Sequence, residues 1–432
     1  MEALVLADDL TGAADTAAAF IDGRRRIALS LFDNGELLAV PTCDVWAIDA
    51  ATRGMSQAEA YKATYNAVIT ALSGNPRFVY KKLDSALRGN ISNECDAVIE
   101  AFRADLCIVC PAVPKLGRTT LHGEQLVNGI PVHETEMGRD PMNPVHTSHI
   151  ATILRHSTNQ GIARIGLDQL TSAAYHMCHL FEHGMRYVIC DAVEDADLDL
   201  IVAAGLYSGL RIVWAGTAGL AQALARTLDI PKEVNCDSDN LLKMQPDQGA
   251  AWFISGSQTL VTERQLNEFS PRCRINCQYT AESLLRESNT FANTENDWSR
   301  DDLVSDGPLV QDAIFATARE EAEGLLFFEA NQRGISIREM SSILLGSFVR
   351  RVRSKLDTCK NVSLLVLIGG ETARSMLKEL TINTIFLEHE FEPGIIESVA
   401  VLPRAYKIIT KSGAFGDPNT LVRILEKHRI GG

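Results

Sequence analysis

The chain alternates between short apolar segments, typical of strands, and longer segments in which apolar residues recur with helical spacing. Such alternation predicts an α/β fold, because a helix between successive strands lets those strands run parallel in one sheet. In the N-terminal half, the strand-like segments begin near Ala3, Ile27, Val45, Phe78 and Leu106. Helical patterns begin at Ala13, at Gln57 and after Asn90. This half is therefore predicted to form a mostly parallel sheet covered by helices.

The alternation stops over residues 229–248, which are polar, and resumes in a second α/β block. A chain of 432 residues is long enough for two or three domains. We therefore predict two α/β domains with mostly parallel sheets, residues 1–235 and 249–432, joined by a linker at 236–248. Open α/β sheets bind ligands beyond the carboxyl ends of their strands, so we expect the ligand site in the cleft between the domains.

The charge and composition argue against several classes of partner. The formal net charge of −14 disfavours nucleic acid or an anionic membrane. The chain has no run of about 18 apolar residues, so no transmembrane helix is expected, and its start lacks the basic region of a secretory signal. Cys107 and Cys110 have a CxxC spacing within a strand-like run, so we expect core thiols in a reducing cytoplasm. The sequence does not decide whether the protein forms a homo-oligomer.

Residues 80–90 are the centre of the predicted site, because a strand that begins at Phe78 runs directly into charged residues. Side chains alternate along a strand, which puts Lys82 and Asp84 on one face. A central parallel strand is normally apolar on both faces, so charges at its carboxyl end indicate a crevice that binds a ligand. The other interpretation is an ordinary strand end with one surface ion pair.

Two adjacent acids, Asp8 and Asp9, follow the first strand. Adjacent carboxylates raise one another's pKa unless a cation or a ligand satisfies them. One of them, or Thr11, could simply cap the following helix, which accounts for one acid but not for two followed by Asp15. Arg53 follows another strand at the same expected edge; a lone arginine is most often exposed, but its fork of donors would also suit a carboxylate substrate.

Residues 111–145 interrupt the alternation with a segment rich in glycine, proline and polar residues. Structured loops of this length inside compact domains are usually functional. Asn128-Gly129 is a hairpin turn signal, so residues 120–132 are predicted to form a β-ribbon. Arg118 and Arg139, each beside a glycine, form a candidate anion clamp, although an ornate surface loop would have the same composition.

Three glycine-rich turns follow apolar strands in the C-terminal half, at residues 255–257, 369–373 and 411–416. A strand, a glycine-rich turn and a helix expose backbone N–H groups at a helix N-terminus, which is a common way to bind phosphate. One such turn is weak support, but three in one domain are more specific. The GxxxxGK[ST], GxGxxG and protein-kinase motifs are absent.

Together these segments resemble the four-carbon acid sugar kinase family, nearly over the whole chain and in the family's order. The matching segments are residues 7–13, 81–85, 87–90, 111–112, 117–119, 128–131, 139–145, 369–373 and 411–418. The resemblance implies an N-terminal α/β domain that binds the sugar acid and a C-terminal α/β domain that binds ATP. It also implies phosphoryl transfer to the terminal hydroxyl of threonate, erythronate or a 3-oxo-tetronate.

The same resemblance implies the residues of both binding sites. Those expected to contact the acid sugar are Asp9, Arg53, Lys82, Asp84 and Ser85, with Arg88 added from the same segment. Those expected to contact ATP are Ser255, Ser257, Gly369, Gly370, Glu371, Thr372 and Gly413. The chain departs from the family pattern at Ala14, where Asn is frequent, and at Glu371, where Asp is usual. The role of Glu371 therefore stays open between Mg²⁺ and ribose.

Phosphoryl transfer needs positioning and charge neutralisation more than covalent chemistry, and these residue types suit it. Arg53 and Lys82 can neutralise the substrate carboxylate, and Mg²⁺ would bridge the nucleotide phosphates. The catalytic candidates are Asp9 and Asp84; Lys82 beside Asp84 lowers its pKa, which suits orienting more than proton uptake. Two other classes stay open: a nicotinamide-dependent oxidoreductase of sugar acids, and a non-catalytic sensor of sugar acids or nucleotides.

Overall fold

The computed structural model divides the chain into two compact units, Met1–Asn235 and Cys236–Gly432, which we call the N-terminal and C-terminal units. The predicted linker at 236–248, the residues 140–144 and the side chain of Arg139 lie outside what the structure describes. The described residues are 1–32, 40–139, 145–228, 249–273, 275–288, 312–317, 322–359, 361–400 and 404–430.

The N-terminal unit alternates strands and helices as the sequence predicts. Its strands are β1 (Ala3–Ala7), β2 (Ile27–Leu31), β3 (Val45–Asp49), β4 (Phe78–Lys82), β5 (Leu106–Cys110), β6 (Arg118–Leu121), β7 (Glu124–Val127), β8 (Ile130–Pro131), β9 (Gly161–Ile165), β10 (Met185–Cys190) and β11 (Ile212–Gly216). Its helices are α1 (Leu10–Ala18), α2 (Gln57–Ala71), α3 (Ile91–Phe102), α4 (Ile150–Arg155), α5 (Ala173–Glu182), α6 (Asp195–Tyr207) and α7 (Ala218–Arg226).

The main sheet of this unit runs in the order β2-β3-β1-β4-β11-β5-β10-β9, and its pairings are parallel. Strands β1 to β5 are buried along their whole length, which is expected when helices cover both faces of a parallel sheet. The helix predicted to begin at Ala13 begins earlier, at Leu10, because the Asp9 carboxylate caps it by accepting the N–H of Gly12.

The predicted ribbon is a small antiparallel sheet of β6, β7 and β8. Both of its turns, His122-Gly123 and Asn128-Gly129, have positive φ at both positions, which is the type I′ geometry of tight hairpins. The β6–β7 hairpin is held at the end of β10, where the Asp191 carboxylate accepts the N–H groups of His122 and Gly123 at 2.9 Å each.

The C-terminal unit is a second α/β unit. Its strands are β12 (Ala250–Ser255), β13 (Ile275–Tyr279), β14 (Ala313–Thr317), β15 (Val362–Ile368), β16 (Thr384–Glu392), β17 (Ile395–Ala400) and β18 (Tyr406–Lys411). Its helices are α8 (Leu260–Phe269), α9 (Ala281–Ser288), α10 (Ala322–Arg333), α11 (Ile337–Thr358), α12 (Gly370–Glu379) and α13 (Thr420–Ile430).

The strands of this unit lie in the order β13-β14-β12-β15-β18-β17-β16. The pairings from β13 to β18 are parallel, whereas β17 pairs antiparallel with both β18 and β16. One hydrophobic core of the unit lies between this sheet and the helices α8 and α13, with Phe253, Phe269 and Leu421 fully buried. Within the described residues of the whole chain, no helix is long and apolar enough to cross a membrane.

Candidate active site

The first group of candidate residues meets at one edge of the N-terminal sheet. Strands β3, β1 and β4 are neighbours and run parallel, so the residues that follow them emerge at the same edge. Arg53 follows β3, Asp8 and Asp9 follow β1, and Asp84 follows β4. The structure thus brings together four charged residues from three separate segments of the chain.

Arg53 connects all three carboxylates of this group. Its Nε and Nη2 donate to the two oxygens of Asp8 at 2.7 and 2.9 Å, and its Nη1 donates to Asp9 Oδ2 at 2.7 Å. Asp84 Oδ1 lies 3.8 Å from Arg53 Nη2. The side chains of Asp8 and Asp84 are 4% and 10% exposed, while that of Asp9 is 22% exposed. Asp9 is therefore the acid most accessible to a ligand.

Asp84 is held by a second arginine from its own loop. Arg88 donates from Nε to Asp84 Oδ2 at 2.7 Å and from Nη2 to Asp84 Oδ1 at 3.1 Å. The loop turns tightly there, because the N–H of Leu87 donates to the Asp84 carbonyl and Leu87 has a φ of +64°. Ser85 is half-buried in this turn. The bidentate Asp84–Arg88 pair fixes the orientation of the Asp84 carboxylate.

Lys82, the last residue of β4, is buried in the same group. It makes no ion pair within the described part of the chain, yet its charge acts on both Asp8 and Asp84. A Cβ placed on Gly12 would lie 3.0 Å from Lys82 Nζ, so the start of α1 approaches the ammonium closely. Its neighbour Lys81 points the other way.

Lys81 makes a buried ion pair that the sequence reasoning missed. Its Nζ lies 2.7 Å from Glu94 Oε2, and the two side chains are only 2% and 3% exposed. Glu94 lies in the first turn of α3, on the face that buries Ile91 and Cys95. An acid on an apolar helix face was the signal that could have predicted a buried cation opposite it.

The charges of this group shift the pKa values of its members. Burial raises the pKa of Asp8, but the charges of Arg53, Lys81 and Lys82 outweigh that effect and hold the pKa below its ordinary value. Burial also opposes ionisation of Asp84, yet the hydrogen bond from Arg88 and the charge of Arg53 hold its pKa well below its usual range. Asp8 and Asp84 are therefore ionised near neutral pH and act as hydrogen-bond acceptors.

Arg53→Met is expected to lower the free energy of unfolding by about 3–5 kcal/mol at pH 7, because it leaves the buried Asp8 carboxylate without its bound counter-charge. The folded-state pKa values of Asp8 and Asp84 are depressed, so their stabilising contribution is present above a pH of about 4 and is lost as the pH falls further. The difference between wild type and variant should therefore shrink on acidification. Urea unfolding at several pH values measures it.

Arg226→Met is the matched control for this experiment. It removes a half-exposed ion pair with Asp199 in the same unit and should cost about 0–1 kcal/mol at any of these pH values. Equal losses for Arg53→Met and Arg226→Met would show that the Arg53 network does not stabilise the unit.

The second group of candidate residues lies on the C-terminal unit. Strands β12, β15 and β18 are neighbours and parallel, with Ser255 paired to Ile368 and Ile368 paired to Lys411. The three glycine-rich turns therefore leave the sheet at the same level and at the same edge. Helices α8, α12 and α13 follow the turns, so each turn joins a strand to a helix.

The three turns are also bonded to one another. The N–H of Gly256 donates to Thr372 Oγ1 at 3.0 Å, the N–H of Gly369 donates to the Lys411 carbonyl at 2.8 Å, and Thr259 Oγ1 donates to the Gly413 carbonyl at 2.7 Å. A Cβ on Gly413 would overlap Ser257 Oγ. These contacts place the candidates Ser257, Gly369, Thr372 and Gly413 in one compact surface.

Gly369 and Ser255 show how this surface could receive a ligand. Gly369 has a φ of +100°, which requires glycine, and it leads directly into α12 at Gly370. The Ser255 hydroxyl is buried and has no hydrogen-bond partner among the described residues. Backbone donors at the start of α12 and an unpaired hydroxyl are the kinds of group that bind phosphate oxygens.

Lys411 belongs to this surface but was not selected from the sequence. It ends β18, is fully buried, and donates from Nζ to the Ser412 carbonyl at 3.0 Å. Burial lowers its pKa to about 8, although the charge of Glu392 opposes the shift. The sequence feature that could have identified Lys411 is the one that identified Lys82, namely a lysine at the carboxyl end of an apolar strand.

The residues present fit a magnesium ion that arrives with the nucleotide. The described residues contain no group of three His, Cys, Asp or Glu side chains arranged to hold a metal. Mg²⁺ in nucleotide sites usually needs only one or two protein carboxylates in addition to the phosphates. Glu371 is exposed in the first turn of α12, beside the glycine-rich turns, and is one acid at this surface that would hold the ion.

Charged residues at the sheet edge of one α/β unit can bind a polar substrate, and glycine-rich turns before helices on the other unit can bind phosphate, which are the two requirements of a kinase. Residues 3–224 match the family of sugar-binding N-terminal domains, and residues 252–421 match the family of nucleotide-binding C-terminal domains. The chain belongs to the four-carbon acid sugar kinase family. The membership predicted from the sequence is thereby confirmed, and the chain is a sugar-acid kinase that uses ATP.

Relatives of named activity cover nearly the whole chain. The D-threonate kinase of Salmonella typhimurium is 28% identical over 98% of this chain and 97% of its own. The 3-oxo-tetronate kinase of Brucella melitensis biotype 1 is 25% identical over 95% of this chain and 92% of its own. A solved structure from Salmonella typhimurium LT2, described as a tRNA synthase, has a TM-score of 0.75 and 22% identity and covers 99% of both chains. That likeness shows the fold alone.

Proposed function

We propose that this protein transfers the γ-phosphoryl group of ATP to the terminal, 4-hydroxyl group of a four-carbon sugar acid such as D-threonate, D-erythronate or a 3-oxo-tetronate. The observation that carries the proposal is the convergence of Asp8, Asp9, Arg53 and Asp84 at the ends of three neighbouring strands of the sugar-binding unit. Acceptors for hydroxyl groups and cations for a carboxylate are thereby combined at one sheet edge.

We assign different roles to the two candidate catalytic acids. Asp9 is the more exposed, and its Oδ2 is oriented by Arg53 Nη1 and by the Thr11 hydroxyl, so it can accept the proton of the reacting hydroxyl. Asp84 is clamped by Arg88 and has a depressed pKa, so it orients a substrate hydroxyl instead. Lys82 and Ser85 lie beside Asp84 and complete the proposed contacts with the acid sugar.

The nucleotide is assigned to the three glycine turns. Backbone N–H groups of residues 370–372 at the start of α12 would bind phosphate oxygens, and Gly369, Ser255, Ser257 and Gly413 would complete that site. Glu371 would contact the Mg²⁺ that accompanies the nucleotide, and the ion would neutralise charge on the phosphates. Catalysis of phosphoryl transfer depends mostly on positioning and electrostatics. These contacts would therefore be sufficient to bind and orient the nucleotide.

Release of ADP on mixing the protein with ATP, Mg²⁺ and a panel of tetronates tests the proposal. We expect ADP release to depend on at least one four-carbon sugar acid and to be low with ATP alone. Reduction of a nicotinamide cofactor by a sugar acid would instead favour an oxidoreductase. Saturable binding of both ligands without ADP release would favour a sensor.

A further inference from the structure

Arg118 lies at the start of β6, and backbone contacts fix its position. Its carbonyl accepts the N–H of Val113 at 2.8 Å, and its own N–H donates to the Val113 carbonyl at 3.2 Å. Two residues further on, Thr120 exchanges backbone hydrogen bonds with Ala192, which follows β10. The ribbon is thereby anchored to both β5 and β10, so the position of Arg118 is determined by the sheet and not by a free loop.

The guanidinium of Arg118 has one buried donor without a partner in the described part of the chain. Its Nη1 is buried and has no hydrogen-bond acceptor among the described residues. Burial lowers its pKa, and its charge is attracted by Asp84 and repelled by Arg88, so the group lies within electrostatic reach of the first cluster. A buried donor without an acceptor is costly, and an incoming anion would remove that cost.

Arg118 adds a positive charge beside the first group of charged residues. Three carboxylates, Asp8, Asp9 and Asp84, face the three cations Arg53, Lys82 and Arg88. The neighbouring Lys81–Glu94 pair is neutral as a unit. Arg118 is therefore a fourth cation beside these three carboxylates among the described residues. A carboxylate ligand would bring a negative charge to this cation.

We propose that Arg118 binds the carboxylate of the sugar acid and thereby makes the enzyme act on acids in preference to neutral polyols of the same length. The proposal rests on the proposed function. Arginine matches a carboxylate with two parallel donors, and the unpaired Nη1 supplies one of them. Arg53 cannot do this as freely, because three of its donors already bind Asp8 and Asp9.

The test compares an acid with its neutral counterpart in wild type and in Arg118→Met. We measure kcat/KM at saturating ATP for the best tetronate and for the tetritol of the same configuration, which lacks the carboxylate. Loss of a charged hydrogen-bonded contact predicts a fall of about 10-fold to 150-fold for the tetronate. The value for the tetritol and the KM for ATP should change by less than about threefold. Arg118→Lys, which keeps the charge but loses the fork, should recover part of the loss.

Arg164→Met is the matched control. Arg164 is half-exposed and pairs with Asp191, which anchors the ribbon, so this variant perturbs the ribbon without removing the charge of Arg118. We expect it to affect tetronate and tetritol equally. Equal losses for both compounds in Arg118→Met, or no loss for either, would overturn the proposal.

Failure of the proposed function would be recognised separately, because wild type would then release no ADP with any tetronate. In that case calorimetric titration of the full-length protein with the tetronates decides the role of Arg118. Binding by wild type that weakens at least 10-fold in Arg118→Met supports a carboxylate-binding residue. Unchanged binding in the variant, or no binding by wild type, contradicts it.

Discussion

Asp9→Asn is expected to lose two to four orders of magnitude in kcat while retaining its fold and its affinity for ATP. Asn keeps the shape of the side chain and can still accept the N–H of Gly12 that caps α1, but it cannot take up the proton of the reacting hydroxyl. Removal of a general base usually costs about 10² to 10⁴ in rate. The effect should fall on kcat and on kcat/KM alike, because the interaction is made only during reaction.

Asp84→Asn is the comparison that separates the two acids. Because Asp84 is held by Arg88 and orients the substrate, its replacement should raise the KM for the tetronate more than it lowers kcat. Asp199→Asn, at an exposed acid of the same unit, should leave both parameters unchanged. Near-wild-type kcat in both Asp9→Asn and Asp84→Asn would contradict a catalytic role for these acids. A fall in melting temperature with normal turnover would indicate that they only stabilise the sheet edge.

Gly413→Val is expected to raise the KM for ATP by about 100-fold with little change in the KM for the tetronate. The new side chain would overlap Ser257 Oγ and press on Thr259, so two of the three turns would have to move apart. A displacement of about 1 Å in a positioned group can cost about 10²-fold. Gly413 does not have a positive φ, so valine is not strained in its backbone there. The substitution therefore tests whether the turns have room for a side chain.

Gly346→Ala is the control for Gly413→Val. Gly346 lies in α11 of the same unit, and a Cβ there would contact only the end of the Arg350 side chain. Steady-state kinetics should therefore give wild-type values for it. Equal changes in the KM for ATP and for the tetronate in Gly413→Val would show that the turn is not specific to the nucleotide.

The sequence was sufficient to predict which residues meet at the sheet edges. Parallel strands place their carboxyl ends at the same edge of a sheet. Once the three strands were recognised, Asp9, Arg53 and Asp84 could be predicted to lie close together. The same reasoning predicted the turns at Gly256, Gly369 and Gly413, which follow neighbouring strands in the structure. The mostly parallel α/β fold class is confirmed. No feature of the sequence had indicated that β17 pairs antiparallel with its neighbours.

The pairing of charges could not be predicted, because it depends on distances between side chains from separate strands. The sequence suggested that Arg53 binds a substrate carboxylate, whereas the structure shows it bound to Asp8 and Asp9. Its role in binding substrate stays a prediction, but most of its donors are already used. For the buried Lys81–Glu94 pair, the acid on the apolar face of α3 indicated a buried cation, but it did not indicate which cation.

The position of the transferred phosphoryl group tests the central claim most directly. Phosphorus and proton NMR of the product formed from ATP and a tetronate identify the carbon that bears the phosphate. We predict one phosphate ester at C4, coupled to the protons of the terminal CH₂ group, in an amount equal to the ADP released. Release of ADP without a phosphorylated sugar acid, or a phosphate on the C1 carboxylate, would contradict the account.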